Sequence, residues 1–492
     1  MDADTPTPVH LDNVLDGLAR NPALPAPLIR RMFARQHGWG LVAKRPDLTE
    51  SMIDEIVATD DHWLLHSLAL NDRLPDRFRI LLAAHPDEGI RSALAGRAAT
   101  APRRMFELLI DDPESKVRES LAQNRGTPPD LRARLAADPD PAVRAALAKH
   151  WTQAPEAVRR TLLTDPEATV RAAACATTSP HHPHPVPPAD LLPALLADPV
   201  TRAGAVIHAA LDAETLRRLA DDPDGDVRAE LARHPDLPPS VREALAVDPA
   251  LNVRVKVFAR PDTPEQTRAR IHASVHELAP AADDPDLDPD ADEETVVQCL
   301  LNAFAPTELR ILRLPWVTAD PLPHVDSPYV GFRASAAGSK DLPADAVARL
   351  LHDEEQSVRL TMASTAPHLV DHATAESIER RYRRRDKFTF WWDKEQVLTF
   401  PQETLRRFAT DPEPRLRSLA PRDPELPPEL AEQLAADPED RVRRVVAPHP
   451  NLPLPSLHRL LADSSEHVAE AAAASPFLPL GSMERLLTRA GL

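Results

Sequence analysis

One arginine recurs at a single phase along most of this chain: Arg91, Arg118, Arg144, Arg171, Arg228, Arg254, Arg333, Arg359, Arg417 and Arg443. A guanidinium repeated in this way can grip carboxylates or phosphates bidentately. On an outer face the series would be a track for an extended anion such as nucleic acid or a phosphorylated peptide. Between neighbouring units it would be half of an ion-pair ladder. The ladder fits better, because an Asp stands six residues before the Arg in most copies: Asp112 and Arg118, Asp138 and Arg144, Asp165 and Arg171, Asp222 and Arg228, Asp248 and Arg254, Asp353 and Arg359, Asp411 and Arg417, Asp437 and Arg443.

A second candidate is RRYRRRDKFTFWWDK, residues 380–394, in a chain whose aromatic content is only 4%. Arg380, Arg381, Tyr382, Arg384, Arg385, Phe388, Trp391 and Trp392 combine cations with rings. That combination suits stacking on bases or anchoring a protein partner. The competing reading is an amphipathic helix over roughly 374–385 with a solvated basic face, followed by aromatics that fill a wider gap in the core.

Two further clusters carry weaker signals. Alternating Asp residues in DDPDLDPDADEE, 283–294, resemble a calcium loop, but Pro289 and Thr295 stand where the Gly and Glu of such a loop are needed. A solvated linker is the better reading. His181, His182 and His184 crowd into a proline-rich stretch that reads as a stiff surface loop, with a surface metal site as the alternative. No dinucleotide, phosphate-loop, nucleophile-elbow or paired C-x-x-C motif occurs. The sequence therefore points to a protein that is not an enzyme, with no catalytic residue, metal or cofactor.

Composition narrows the partner class. A formal charge of −18 disfavours nucleic acid or an anionic membrane as the partner of the whole molecule, leaving a local basic face as the way to bind either. Two distant cysteines, Cys175 and Cys299, give neither a disulfide framework nor metal-ligand spacing, which fits a reducing compartment. No signal-peptide pattern opens the chain and no apolar run is long enough to span a bilayer, so the expectation is a cytoplasmic protein.

The elements that would position these residues are repeats. DPESKVRESLA at 112 returns as DPDPAVRAALA at 138, DPEATVRAAAC at 165, DPDGDVRAELA at 222 and DPEDRVRRVVA at 437. Residues 234–261, HPDLPPSVREALAVDPALNVRVKVFARP, show one whole unit. A Pro-initiated helix leads to Asp-Pro and then to a second helix ended by the next X-Pro, with the Asp expected as N-cap and the Pro at the first helical position. This explains 54 Pro beside 12 Gly. Apolar residues three and four apart, such as Leu131 with Leu135 and Val143 with Leu147, give each helix one buried stripe. About four buried side chains at about 2 kcal/mol each fall short of the ordering cost of a unit, about 1.5 kcal/mol per residue, so units must stack to fold.

The phrase D-P-x-x-x-V-R-x-x-L-A resembles the second helix of HEAT-like repeats. The P-x-L-P-P-x-x-L opening is similar to the bacterial leucine-rich repeat variant (LRV) family, whose units alternate α- and 3₁₀-helices. The resemblance covers nearly all of 10–490 and implies a binding scaffold; the iron–sulfur cysteine cluster of the founding LRV type has no counterpart here. HEAT-like DNA glycosylases, which hold duplex DNA in a basic concavity, supply the alternative, and chaperone-like or accessory roles rest on analogy alone.

The expectation is therefore an all-α, right-handed α-solenoid of about fifteen two-helix repeats with a period of about 26 residues, forming a long curved rod. The segments from Val9 and from Pro476 would cap its ends. An N-terminal array (1–272), an acidic linker or insertion (273–294) and a C-terminal array (295–492) carrying a basic-aromatic insertion (374–400) would make up the chain. Its function would be to bind a protein or peptide along an extended concave surface, with nucleic-acid binding or DNA processing through a local basic-aromatic face as the alternative.

Overall fold

Pro75, Pro102 and Pro343 each sit in the extended region immediately before a helix, Asp76–Ala83, Arg103–Leu109 and Ala344–Leu351 respectively. A fixed φ and a missing N–H suit proline to this place, where the chain turns into its first helical residues. The computed structural model describes residues 8–35, 40–97, 100–176, 185–279, 293–383 and 398–492, the side chains of 293–295 excepted. Among them all regular structure is α-helix with short 3₁₀ turns, and the fold is an α-solenoid of short helix pairs. Residues 1–143 with 400–492 form one compact unit, and residues 144–399 form the other.

Within a pair, Arg103–Leu109 and Ser115–Gln123 show the plan. Met105, Phe106 and Leu109 of the first helix and Val117, Leu121 and Ala122 of the second are all 1% exposed or less. Six side chains buried to this degree from two helices of seven and nine residues leave each helix little besides its outer face for solvent. Both members of most pairs are α-helices, and 3₁₀ geometry is confined to single turns such as Met32–Ala34, Leu135–Ala137 and Ala420–Arg422. The strict α/3₁₀ alternation of the LRV type is absent from these pairs.

The expected capping role of Asp-Pro is corrected by the structure. The second helices begin two or three residues later, at Ser115, Ala168, Gly225 and Asp440. The Asp Oδ1 instead accepts the amide two residues on, Glu114 N at 3.0 Å for Asp112 and Glu439 N at 2.9 Å for Asp437, which makes a side-chain turn ahead of the helix. The carboxylate is thereby held in a fixed direction with one more lone-pair set to spare. Asp198 alone of this group keeps a capping position, accepting from Val200 N before the helix Pro199–Val206.

A second polar row closes the other end of the second helices. Asn71 Nδ2 donates to Ala43 O (2.9 Å) and Arg45 O (3.0 Å), carbonyls of the preceding unit. Arg260 Nη1 does the same to Ala232 O and His234 O. His234 and His449 use both ring nitrogens, Nε2–H donating to Ala209 O or Asp423 O and Nδ1 accepting the amide two residues on. Each of these side chains meets carbonyls that the end of an α-helix leaves without intrahelical donors.

The same row overturns the expectation that the first and last segments are end caps. Leu11–Arg20 packs against Glu466–Ala473, and Ala26–Arg31 packs against Leu480–Arg489. Asn21, fully buried, donates to Ala473 O (2.9 Å) and Ser475 O (2.7 Å), the same pair of positions that Asn71 uses. Arg20 pairs with Glu470, and His10 Nε2 meets Ser464 O at 2.9 Å. The helices cross so closely that a Cβ on Gly17 would lie 2.1 Å from Glu470 O, so only glycine fits there. The first helix is thus the stacking neighbour of the last pair.

Unit 144–399 departs from regularity where the sequence loses its period. The expected linker boundary at 272 falls inside the helix Glu265–Leu278, and a 19-residue helix, Glu293–Ile311, follows. Residues 280–292, the heart of the acidic run, lie outside the described residues. Phe258, Tyr329 and Phe332 pack edge-on or tilted at centroid distances of 4.9–5.5 Å, and Arg268 lies 5.2 Å over the Phe332 ring. Large rings here fill the space that a missing regular pair leaves.

Replacing Asn21 by Ala should lower the unfolding free energy by about 2 kcal/mol, the cost of leaving buried carbonyls without a donor. Gly17→Val should strip hydrogen-exchange protection from the amides of 11–20 while leaving those of 225–258 unchanged. Equal protection in both regions would show that the two terminal pairs are not stacked in solution.

Candidate functional site

The repeated arginines were the strongest chemical signal, and the structure buries them. Arg118 sends Nε to Asp138 Oδ2 (2.7 Å) and Nη2 to Asp138 Oδ1 (3.0 Å), while Nη1 reaches back to Asp112 O (2.6 Å). The arrangement recurs as Arg91 to Asp112, Arg144 to Asp165, Arg228 to Asp248, Arg333 to Asp353, Arg417 to Asp437 and Arg443 to Asp463. Arg171 reaches Asp198, and Arg202 continues to Asp222. Each Arg therefore takes main-chain oxygens of its own unit and the carboxylate of the next. The Asp six residues earlier contributes its carbonyl, and its carboxylate belongs to the Arg of the unit before.

Arg254 and Arg359 break the series. The Nε of Arg254 turns onto Asp248 O at 2.6 Å, and among the described residues no carboxylate pairs with it. Arg359 keeps Nη1 on Asp353 O and Glu354 O, but its Nε has no partner. Asp411, at the start of the next regular pair, accepts Glu413 N.

The electrostatics follow the geometry. Hydrogen bonds donated to Asp138 and Asp437 hold Arg118 and Arg417 above the ordinary guanidinium value. The Arg171 hydrogen bond holds Asp198 below the usual carboxylate range. At Asp165 burial acts to raise the value, and the Arg144 bond with the Glu167 amide outweighs it, so the net shift is downward. Depressed carboxylates contribute stability that is fully present above their unfolded value of about 4 and lost as pH falls through the lower folded values.

Exposed surface lies elsewhere on each pair. On the first helices Arg103 pairs with Asp130, Arg134 with Asp111 and Arg160 with Asp190, all between neighbouring units and all more than a third exposed. These outer pairs alternate charge between neighbouring units.

The basic-aromatic segment enters the described residues only at its start. Arg380 belongs to the helix His372–Arg381 and pairs with Glu376 at 2.9 Å. Arg381 is exposed, whereas Tyr382 is only 3% exposed and so is a core side chain at the C-cap of the helix. Arg383 N donates to Gln356 Oε1 (2.7 Å), and Gln356 Nε2 donates to Arg383 O (2.9 Å). Arg384, Arg385, Phe388, Trp391 and Trp392 lie outside the described residues, as do His181, His182 and His184.

A feature that motif reading missed is a cavity of about 120 Å³ in unit 144–399, where the spacing stretches between Asp165 and Asp198. Trp151, Leu162, Cys175, His208, Glu230 and Arg233 are among its lining residues. Burial pushes the Cys175 thiol up to about 12, so it stays protonated, with Sγ 3.4 Å from Thr201 O. Burial raises Glu230, which pairs with Arg233 at 2.7 Å, and lowers His208. No nucleophile activated by a base is assembled there. Among the described residues no group of three or more His, Cys, Asp or Glu is placed to hold a metal ion, and no helix is long and apolar enough to cross a membrane.

No family model and no curated protein matches the chain. Among solved structures it is similar to Kap121p, in a crystal structure of Kap121p bound to Ste12p, at 14% identity and a TM-score of 0.25. That match covers 92% of this chain and 48% of the other, so the chain spans about half the length of Kap121p.

Arg144→Ala should cost about 3 kcal/mol, because it strands the buried Asp165 carboxylate. Arg103→Ala, at an exposed pair, should leave the denaturation midpoint nearly unchanged. Stability should hold steady from pH 7 to 5 and fall below about pH 4, and Asp198→Asn should flatten that fall.

Proposed function

We propose that this chain is a non-enzymatic helical-repeat scaffold that binds a protein or peptide segment along the outer faces of its stacked helices. One observation carries the reading: most of the repeated arginines and aspartates are consumed in bonds between units. What varies from pair to pair is the outer row of the second helices, such as Trp63, Glu88 and Lys116, all exposed. Extended, variable surfaces on a regular support suit an extended ligand, which they recognise through many small contacts. A reducing, cytoplasmic setting agrees with the buried, unpaired Cys175.

A nucleic-acid ligand is favoured by one feature, the exposed Arg381 and Arg383 at the head of the basic run. The overall charge of −18 opposes it.

Partners captured by the intact chain should bind with graded loss when Trp63→Ala, Glu88→Lys and Lys116→Glu are introduced singly and then together. Complete loss from one substitution alone would contradict an extended interface. Binding to duplex DNA that weakens steeply with salt would replace the protein-partner reading with the nucleic-acid one.

A further inference from the structure

Two residues after the arginine that bonds the next unit, successive second helices carry a small side chain: Ser120, Ala146, Ala173 and Gly204 follow Arg118, Arg144, Arg171 and Arg202. After Arg228 the same position holds Glu230, which is only 6% exposed. A carboxylate is costly to bury where an alanine is not, so it calls for partners at both oxygens. Glu230 Oε2 accepts from Arg233 Nη1 at 2.7 Å. Among the described residues Oε1 accepts no hydrogen bond, yet it is not one of the unpartnered atoms sealed inside the packing. It therefore touches open space.

That space is the cavity of about 120 Å³, which Glu230 lines. Ala148, Leu162, Ala174 and Ile207 supply carbon walls, and Trp151 adds a ring. At the end where Glu230 meets Arg233, both Arg233 and His208 line the cavity and are exposed, so the space reaches solvent through described residues. A closed apolar cavity of about 150 Å³ holds a benzene ring, and the volume here is of that order. The charged lining sorts ligands by charge. Arg159 and Arg233 repel a cation, and the buried Glu230 carboxylate repels an anion. A neutral ring with one donor meets neither objection, and it supplies the bond that Oε1 lacks.

We infer that this cavity is a binding site for a small neutral aromatic molecule of the phenol class, its ring among Trp151, Leu162 and Ile207 and its hydroxyl donating to Glu230 Oε1. The inference goes beyond the scaffold reading and does not depend on it, because a pocket within four stacked pairs serves a small molecule whatever the outer faces bind.

The test uses the full chain with methyl-labelled isoleucine and phenol as probe. The Ile207 methyl signal is identified by its loss in Ile207→Val. It should shift and saturate on titration with phenol. Toluene, which has the ring without the donor, and the charged benzylamine and benzoate should each bind about tenfold more weakly or worse. Glu230→Leu, an apolar side chain at a buried position, should bring phenol down to the level of toluene. Ala174→Leu should fill the space and stop both, with the remaining isoleucine signals showing that each variant is folded. An Ile207 signal unmoved by millimolar phenol would overturn the inference, as would equal binding of phenol and toluene, a preference for phenol that survives Glu230→Leu, or binding untouched by Ala174→Leu. Phenol binding that appears only after residues 177–184 are replaced by a Gly-Ser stretch would overturn it too, since the chain itself would then occupy the site.

Discussion

The buried rung between one arginine and the next unit's aspartate is the bond on which the rest of the structure depends. Three constraints meet in it. The guanidinium takes two carbonyls that precede its own helix, it reaches across to both oxygens of the next carboxylate, and that carboxylate is aimed by a backbone amide two residues on. A charge pair sunk this deep is favourable only when its hydrogen-bonding capacity is met on all sides, and here the geometry supplies nearly all of it. The rung therefore fixes the spacing and rotation of successive pairs in a way that apolar packing of Leu, Val and Ala would leave loose.

Much of this was legible in the residues. The period, the two-helix unit and the pairing of Arg with Asp as mortar all follow from repeated spacing, because stacking imposes the same neighbours at each step. The detail of who holds whom was not. Asp-Pro has the composition of a helix start, and local propensity assigns Asp112 to the cap. Tertiary demand from Arg91 claims its carboxylate instead and shifts the helix to Ser115. Tyr382 looked like surface chemistry because it stands among arginines, yet its position facing inward at the end of a helix decides its burial.

The stacking of Leu11–Arg20 on Glu466–Ala473 was equally hidden, for a physical reason. Asn21, Ser475 and Gly17 are common residue types, and nothing local marks them as partners over about 450 positions. The cavity beside Cys175 was hidden too, since it arises where a regular pair is displaced and no motif records a displacement. Burial is the largest cause there both of the raised Glu230 and of the lowered His208, to which nearby Arg233 also contributes.

The bonding of Asn21 to Ala473 and Ser475 has a bearing on how this chain can change over time. An open array tolerates the gain or loss of a whole module, since each module answers only to its neighbours. Here the first helix must also keep the register that brings Asn21 to Ala473 and Ser475. Insertion or deletion between Leu11 and Asn21 would break that register, so drift in this segment is confined to its outward-facing side chains.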